Sequence, residues 1–188
     1  MRDTDSGNAL YERYLAGDEA ALGELVECYS ASLVLFINRY VNNLSVAEEL
    51  MEDTFCDVVM KQKHFKGESA FKTYLFAIGR NKAADYIRRA SRYGFVPIED
   101  AEREITLLHS LEEAVVAEEE KRALWRAMDK LNADYRAALY LIYFEELSYD
   151  EAGRVLKRSR PQMKNLVYRA KVSLRGKLEE GGFVYEGI

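Results

Sequence analysis

Leu147-Ser148-Tyr149-Asp150-Glu151-Ala152-Gly153-Arg154-Val155-Leu156-Lys157-Arg158-Ser159-Arg160-Pro161-Gln162 contains two helix starts only eleven residues apart. Ser148 with Glu151 makes a capping box, and Ser159 with Gln162 makes a second. In each, the serine oxygen takes a free backbone N–H of the first turn, and the longer side chain returns to the serine N–H. Pro161 falls in the first turn of the second helix, where its missing N–H removes no bond. A short helix, a turn of a few residues and a longer helix form the helix-turn-helix plan, whose second helix enters the major groove of DNA.

The second helix divides cleanly at ~100° per residue. Met163, Leu166, Val167, Ala170 and Leu174 share one arc and seat the helix on its domain, with Leu166 at the arc's edge. Gln162, Lys164, Asn165, Tyr168, Arg169, Lys171 and Arg175 fill the rest. Arg160, Gln162, Lys164 and Asn165 lie near the N-terminal end, where base edges are read. Arg169, Lys171 and Arg175 are placed to meet phosphate. The competing structural reading is a solvated basic helix in an ordinary bundle.

Upstream of this motif the chain also reads as helix. Leu22, Leu25, Val26, Tyr29, Leu33, Phe36, Ile37 and Tyr40 recur at steps of three and four, predicting a helix over 21–40. Ser45-Val46-Ala47-Glu48 predicts a capping box opening a second helix that runs to about Lys63. A third helix is expected from about Ser69 to Ser91. Gly94, Pro97 and the acid-rich stretch after them predict a linker over 93–111. Leu124, Trp125, Met128 and Leu131 open a second helical domain, and 133–144 predicts one further helix before the motif. The expected architecture is all-α: a domain at 1–92, an acidic linker at 93–111 and a helix-turn-helix domain at 112–188.

The net charge of −5 conceals a block pattern. Residues 1–60 carry −9, 61–95 carry +7, 96–120 carry −8, and 154–178 carry +9 with no acidic residue. Two basic blocks separated by an acidic one predict two polyanion contacts joined by a spacer. The 188 residues, 48% hydrophobic and 31% charged, exclude wholesale disorder. No run reaches the ~18 apolar residues of a membrane span, and the N-terminus does not resemble a signal peptide. Cys28 and Cys56 lack a paired motif and are expected to be reduced thiols in a cytoplasm, Cys28 packed in a helix and Cys56 at an interface. His64 and His109 are isolated and no Gly-rich phosphate loop occurs, so no metal, cofactor or enzymatic chemistry is expected.

Two surfaces of the first domain are candidate sites. On the second helix, Glu49, Glu52, Asp53 and Asp57 gather opposite Ala47, Leu50, Met51, Thr54, Phe55 and Val58, and Cys56 and Met60 lie among the acids. Acids around apolar residues suit a protein partner, with a solvated acidic face as the alternative. The third helix carries Phe71, Tyr74, Leu75, Phe76, Ala77 and Ile78 in nearly all directions, amid Lys72, Arg80, Lys82, Arg88, Arg89 and Arg92. Aromatics among cations suit single-stranded nucleic acid, with core packing as the alternative for each ring.

Taken together, these segments resemble bacterial RNA polymerase sigma factors of the extracytoplasmic-function (ECF) group, the smallest of the sigma-70 family. The resemblance covers about 9–92 and 112–178 in the family's order. Ala47 to Phe55 resembles the polymerase-clamp segment, which implies core polymerase binding through Glu48, Glu49, Leu50, Glu52, Asp53 and Asp57. Phe71 to Arg89 resembles the segment that melts and reads the minus-ten element. It implies contacts from Lys72, Tyr74, Arg80, Asn81, Lys82, Arg88 and Arg89, with Asp85 orienting a neighbouring arginine. Leu147 to Ala152 with Met163-Lys164-Asn165 resembles the minus-thirty-five reader. It implies contacts from Arg160, Gln162, Lys164, Asn165, Tyr168, Arg169 and Lys171. An anti-sigma factor is a further implied partner, and the linker is expected near the RNA exit path. Lys157 departs from the family's usual turn glycine and predicts a different turn, because φ > 0 is costly without glycine. The alternative to a sigma factor is an autonomous helix-turn-helix regulator, which would leave the first domain without a task.

Overall fold

Asn42 ends one helix and Asn43 begins the next. In the computed structural model, which describes residues 3–61, 69–92 and 115–182, Asn42 takes the left-handed conformation at φ 50° and its N–H bonds to Asn38 O. Asparagine tolerates that region better than most residues. Asn43 is extended, and its Oδ1 accepts from Val46 N at 3.0 Å. The cap expected at Ser45 is therefore two residues earlier, because the left-handed turn leaves Asn43 as the extended residue facing the free N–H groups.

The N-terminal helices are α1 (Asp3–Leu15), α2 (Glu19–Val41), α3 (Leu44–Met60) and α4 (Phe71–Arg92). The C-terminal ones are α5 (Val115–Asp129), α6 (Ala133–Leu139), a π-turn (Tyr140–Phe144), α7 (Tyr149–Leu156) and α8 (Arg160–Glu180). No strand occurs among the described residues. The linker expected at 93–111, with His109, and the break around His64 lie outside them.

α2 is the axis of the first group, with α1, α3 and α4 packed around it. Its length and apolar composition would let it cross a membrane, but Leu25, Tyr29, Leu33, Phe36 and Ile37 are instead fully buried in the bundle. Burying each such side chain contributes ~1.5–3 kcal/mol. α1 was not expected from the sequence. It buries Tyr11, whose ring stacks 4.8 Å from Phe71, and Asn8 Oδ1 accepts the Phe71 N–H at 2.6 Å, capping α4 from another helix. Cys28 is exposed on α2 rather than packed, and Cys56 is exposed on α3.

The helix expected over 133–144 is α-helical only to Leu139. Glu145 N then bonds to Tyr140 O, one residue beyond the α-helical spacing. Glu146 follows at φ 54°, and Leu147 N closes the turn on Leu141 O. This winding buries Tyr140, Leu141 and, unusually for an acid, Glu145.

The two groups of helices touch. α4 packs against α7, and α2 against α6. Between them, the Tyr140 hydroxyl donates to Ser32 O at 3.2 Å, Arg39 Nη1 lies 3.3 Å from Asp129 Oδ1, and Arg39 Cζ lies 4.9 Å from the Trp125 ring centroid.

Candidate nucleic-acid and polymerase interfaces

Both capping boxes of the helix-turn-helix are formed as expected. Glu151 Oε2 accepts the Ser148 N–H at 2.8 Å, and Gln162 Oε1 accepts the Ser159 N–H at 2.8 Å. The turn is the ordinary left-handed one after all: Lys157 itself sits at φ 55°, ψ 46°. The tight place is Gly153. Its carbonyl accepts the Arg158 N–H at 2.8 Å, and a Cβ at Gly153 would stand 2.5 Å from Arg158 O. The missing side chain at Gly153, rather than glycine at Lys157, lets the chain fold back.

α8 is seated by Met163, Val167 and Ala170, all buried, with Leu166 partly buried at the edge. Arg160, Gln162, Lys164, Asn165, Tyr168, Arg169 and Lys171 are all exposed. A groove lined by Tyr135, Arg158, Gln162, Asn165, Leu166 and Arg169 runs beside the helix's first turns. It joins two amides, which can read a base edge, to two guanidinium groups, which can hold phosphate. Arg158 was not among the residues singled out in the sequence, although it belongs to the same basic block; Asp134 holds it at 3.1 Å. Arg160 lies 3.2 Å from Asp150, and both remain more than half exposed, so a phosphate can displace this pair cheaply. Lys171 lies 4.8 Å from the Tyr143 ring centroid, and its pKa is raised chiefly by hydrogen bonding to Tyr143.

α4 presents itself differently. Phe71, Leu75 and Phe76 are fully buried, so these rings are core. Tyr74, Arg80, Asn81 and Lys82 are partly buried, and only Arg88 and Arg89 of the candidate contacts are exposed. Asp85 Oδ1 accepts from Arg88 Nη2 at 3.0 Å, the orienting geometry expected for that residue. Lys72 is buried: its Nζ lies 2.8 Å from Glu145 Oε2 and donates to Glu145 O at 3.2 Å. No spacing rule pairs two residues 73 positions apart, so Glu145 was invisible in the sequence.

On α3, Glu48, Glu49, Glu52, Asp53, Cys56, Val59 and Met60 are exposed. Leu50 is buried, so it supports this face from beneath. Lys82 of α4 reaches Asp57 at 3.5 Å and Asp53 at 3.8 Å, linking the acidic face to the basic helix. The Lys61 hydrogen bond, with help from Lys82, holds the Asp57 carboxyl below its ordinary pKa. No cluster of metal-ligating side chains occurs among the described residues.

Comparison with known proteins places these features side by side. The sigma-70 region 2 model matches residues 25–93, and the sigma-70 region 4 model matches 121–174. The RNA polymerase sigma-H factor of Pseudomonas aeruginosa is 27% identical over 182 residues, covering 93% of this chain and 94% of that protein. The ECF RNA polymerase sigma factor SigM of Bacillus subtilis is 27% identical over 160 residues, covering 85% and 96%. Among solved structures, the sigma factor RpoE of Bartonella quintana, in complex with the anti-sigma factor NepR, matches with a TM-score of 0.68 at 25% identity, over 84% of this chain and 96% of that one. CnrH, solved with the cytosolic domain of CnrY, shares the fold, with a TM-score of 0.65 at 21% identity.

Proposed function

The chain belongs to the sigma-70 family of RNA polymerase sigma factors, with relatives in its ECF group, and from that premise we propose which of its surfaces does what. As a sigma factor it binds core RNA polymerase and directs it to specific promoters. Residues 1–92 would carry the polymerase and minus-ten contacts, and 112–188 the minus-thirty-five contacts, with 93–111 between them. Glu48, Glu49, Glu52 and Asp53 would meet a basic surface of the polymerase, with Asp57 at the edge of that face. Arg160, Gln162, Lys164 and Asn165 would read the upstream element while Tyr168, Arg169 and Lys171 hold its backbone.

On α4, Arg80, Asn81, Lys82, Arg88 and Arg89, with Tyr74 and Lys72, would hold the opened minus-ten strand. Opening needs no covalent step from this protein. A surface that prefers the unpaired strand shifts the equilibrium toward it. The work belongs in the cytoplasm, where polymerase and promoter are, and an anti-sigma factor is a fitting regulator.

One observation supports this reading best. A single chain carries both an exposed cationic helix on a helix-turn-helix and a separate exposed acidic face on α3. An autonomous regulator needs the first and has no use for the second. The test is association of the purified chain with core RNA polymerase, followed by transcription from genomic fragments. Stable association with new promoter-specific transcripts is expected. Glu49→Lys with Asp53→Lys should weaken association by several kcal/mol, above about a hundredfold, at unchanged helical content. Unchanged association of that variant would remove α3 from the interface, and specific duplex binding without any association would favour the autonomous regulator.

A further inference from the structure

A cation that a DNA-binding helix should offer to phosphate is turned inward here. Lys72 and Glu145 are each less than a tenth exposed, lie on opposite sides of the contact between the two groups of helices, and meet at 2.8 Å. We propose that Glu145 is a built-in substitute for a promoter phosphate: it occupies Lys72 while the free protein is closed, and DNA takes its place when the protein opens. The proposal rests on α4 being the minus-ten helix.

Three observations carry it. The first is placement. The same contact carries other polar pairs, Arg39 with Asp129 and Trp125, and Tyr140 with Ser32, beside the apolar packing of Phe36 on the Tyr140 ring. Arg80, another candidate minus-ten residue, is partly buried as well. Its Nε is buried without a hydrogen-bond partner.

The second is reach. Elements named minus ten and minus thirty-five stand about 25 base pairs apart, or ~85 Å at ~3.4 Å per step. A closed chain of this length has a radius of gyration of about 16 Å and is about 40 Å across. It cannot touch both elements, so the contact holding Lys72 must part before the promoter is engaged.

The third is the chemistry of the bond. A buried ion pair returns little net stability, because pairing in the interior is offset by lost hydration. What it does supply is a unique docking register and a clean release, since opening returns both charges to water. A phosphate oxygen offers Lys72 the same charge and the same acceptor as Glu145 Oε2.

The experiment uses the full chain and, as ligand, a fluorescent single-stranded 12-nucleotide DNA of mixed sequence. Wild type should be compact by small-angle scattering. Glu145→Gln should expand it and tighten oligonucleotide binding about tenfold or more, as expected when the competent state ceases to be rare. Adding Lys72→Gln should cancel the gain in binding. Hydrogen exchange on wild type supplies a readout that needs no variant: saturating oligonucleotide should protect α4 while residues 140–156 lose protection. The proposal is overturned by an already expanded wild type, by a Glu145→Gln protein with wild-type scattering and affinity, or by unchanged exchange in 140–156 with the oligonucleotide bound. Core polymerase association of wild type is measured alongside. Its failure would remove the sigma-factor reading, while the scattering and exchange results would still decide the Lys72–Glu145 competition.

Discussion

α4 and α8 are of nearly equal length, 22 and 21 residues, and both are rich in Lys and Arg, yet they meet solvent in opposite ways. α8 buries one narrow stripe and presents all seven candidate contacts. α4 buries Phe71, Lys72, Thr73, Leu75, Phe76, Gly79 and Ala83 and presents only its C-terminal third freely. Basic composition therefore does not fix accessibility. α8 lies on the outside of a small bundle and needs one apolar stripe. α4 is clasped by α1, α2 and α3 on one side and by α7 on the other, so it needs apolar residues nearly all round.

The sharpest way to break this contrast is Phe76→Ala. Phe76 is fully buried, with its ring 5.2 Å from Phe36, so the change should cost ~3–5 kcal/mol in a denaturant titration of the free protein. A variant of unchanged stability would mean that the α4 rings are held for a ligand rather than for the core.

On α8, Lys164→Ala should weaken upstream-element binding by ~1–3 kcal/mol at preferred sites and little elsewhere, if Lys164 meets a base. Arg169→Ala should weaken binding evenly across sequences and lower its salt dependence. Competition binding over a set of duplexes separates the two, and an even loss from Lys164→Ala would move that residue to the backbone class.

Lys157→Gly probes the turn that aims α8. A non-glycine residue in the left-handed region costs ~1–2 kcal/mol, part of which is offset by the greater freedom of glycine in the unfolded chain. The net expected gain is up to about 1 kcal/mol, a rise in Tm of about 2–4 °C. A fall would show that the Lys157 side chain has a compensating role.

The smallest effect concerns the link between α3 and α4. Asp57, a quarter exposed, has its pKa lowered from 3.8 in the folded state by Lys61 and Lys82. A lowered folded pKa adds stability above about pH 4 that is lost as pH falls through the folded value. Asp57→Asn should flatten that part of the acid-denaturation curve by less than about 1 kcal/mol. An unchanged curve would mean that the Asp57 ion pairs add nothing to the link between α3 and α4, leaving it to packing and the weaker Asp53 pair.

Legibility in the sequence follows the same division. The helix-turn-helix could be read almost to the residue because its caps and stripe are each local: Ser148 with Glu151, Ser159 with Gln162, and the Met163–Ala170 arc each join residues within about two turns. The acidic exposure of α3 was equally local. Tertiary partners were out of reach. Asn8 capping α4, Glu145 meeting Lys72 and Lys82 bridging to Asp53 all join residues distant in sequence. The cap of α3 was misplaced by two residues because Ser45-x-x-Glu48 is a good local motif that lost to the left-handed turn at Asn42. At Lys157 the turn differs from the sequence expectation because the steric relief comes from Gly153, not from the turn residue.

The π-turn at Tyr140–Phe144 makes this short stretch tolerant of substitution but intolerant of a change in length. Deleting one residue there would restore regular α-helical winding, rotate everything downstream by ~100° and draw it back ~1.5 Å. Glu145 would then swing away from Lys72 even with every side chain intact. Among relatives of this chain, a single-residue gap at this place would mark proteins that share the fold and both recognition helices but hold no acid against the lysine of α4.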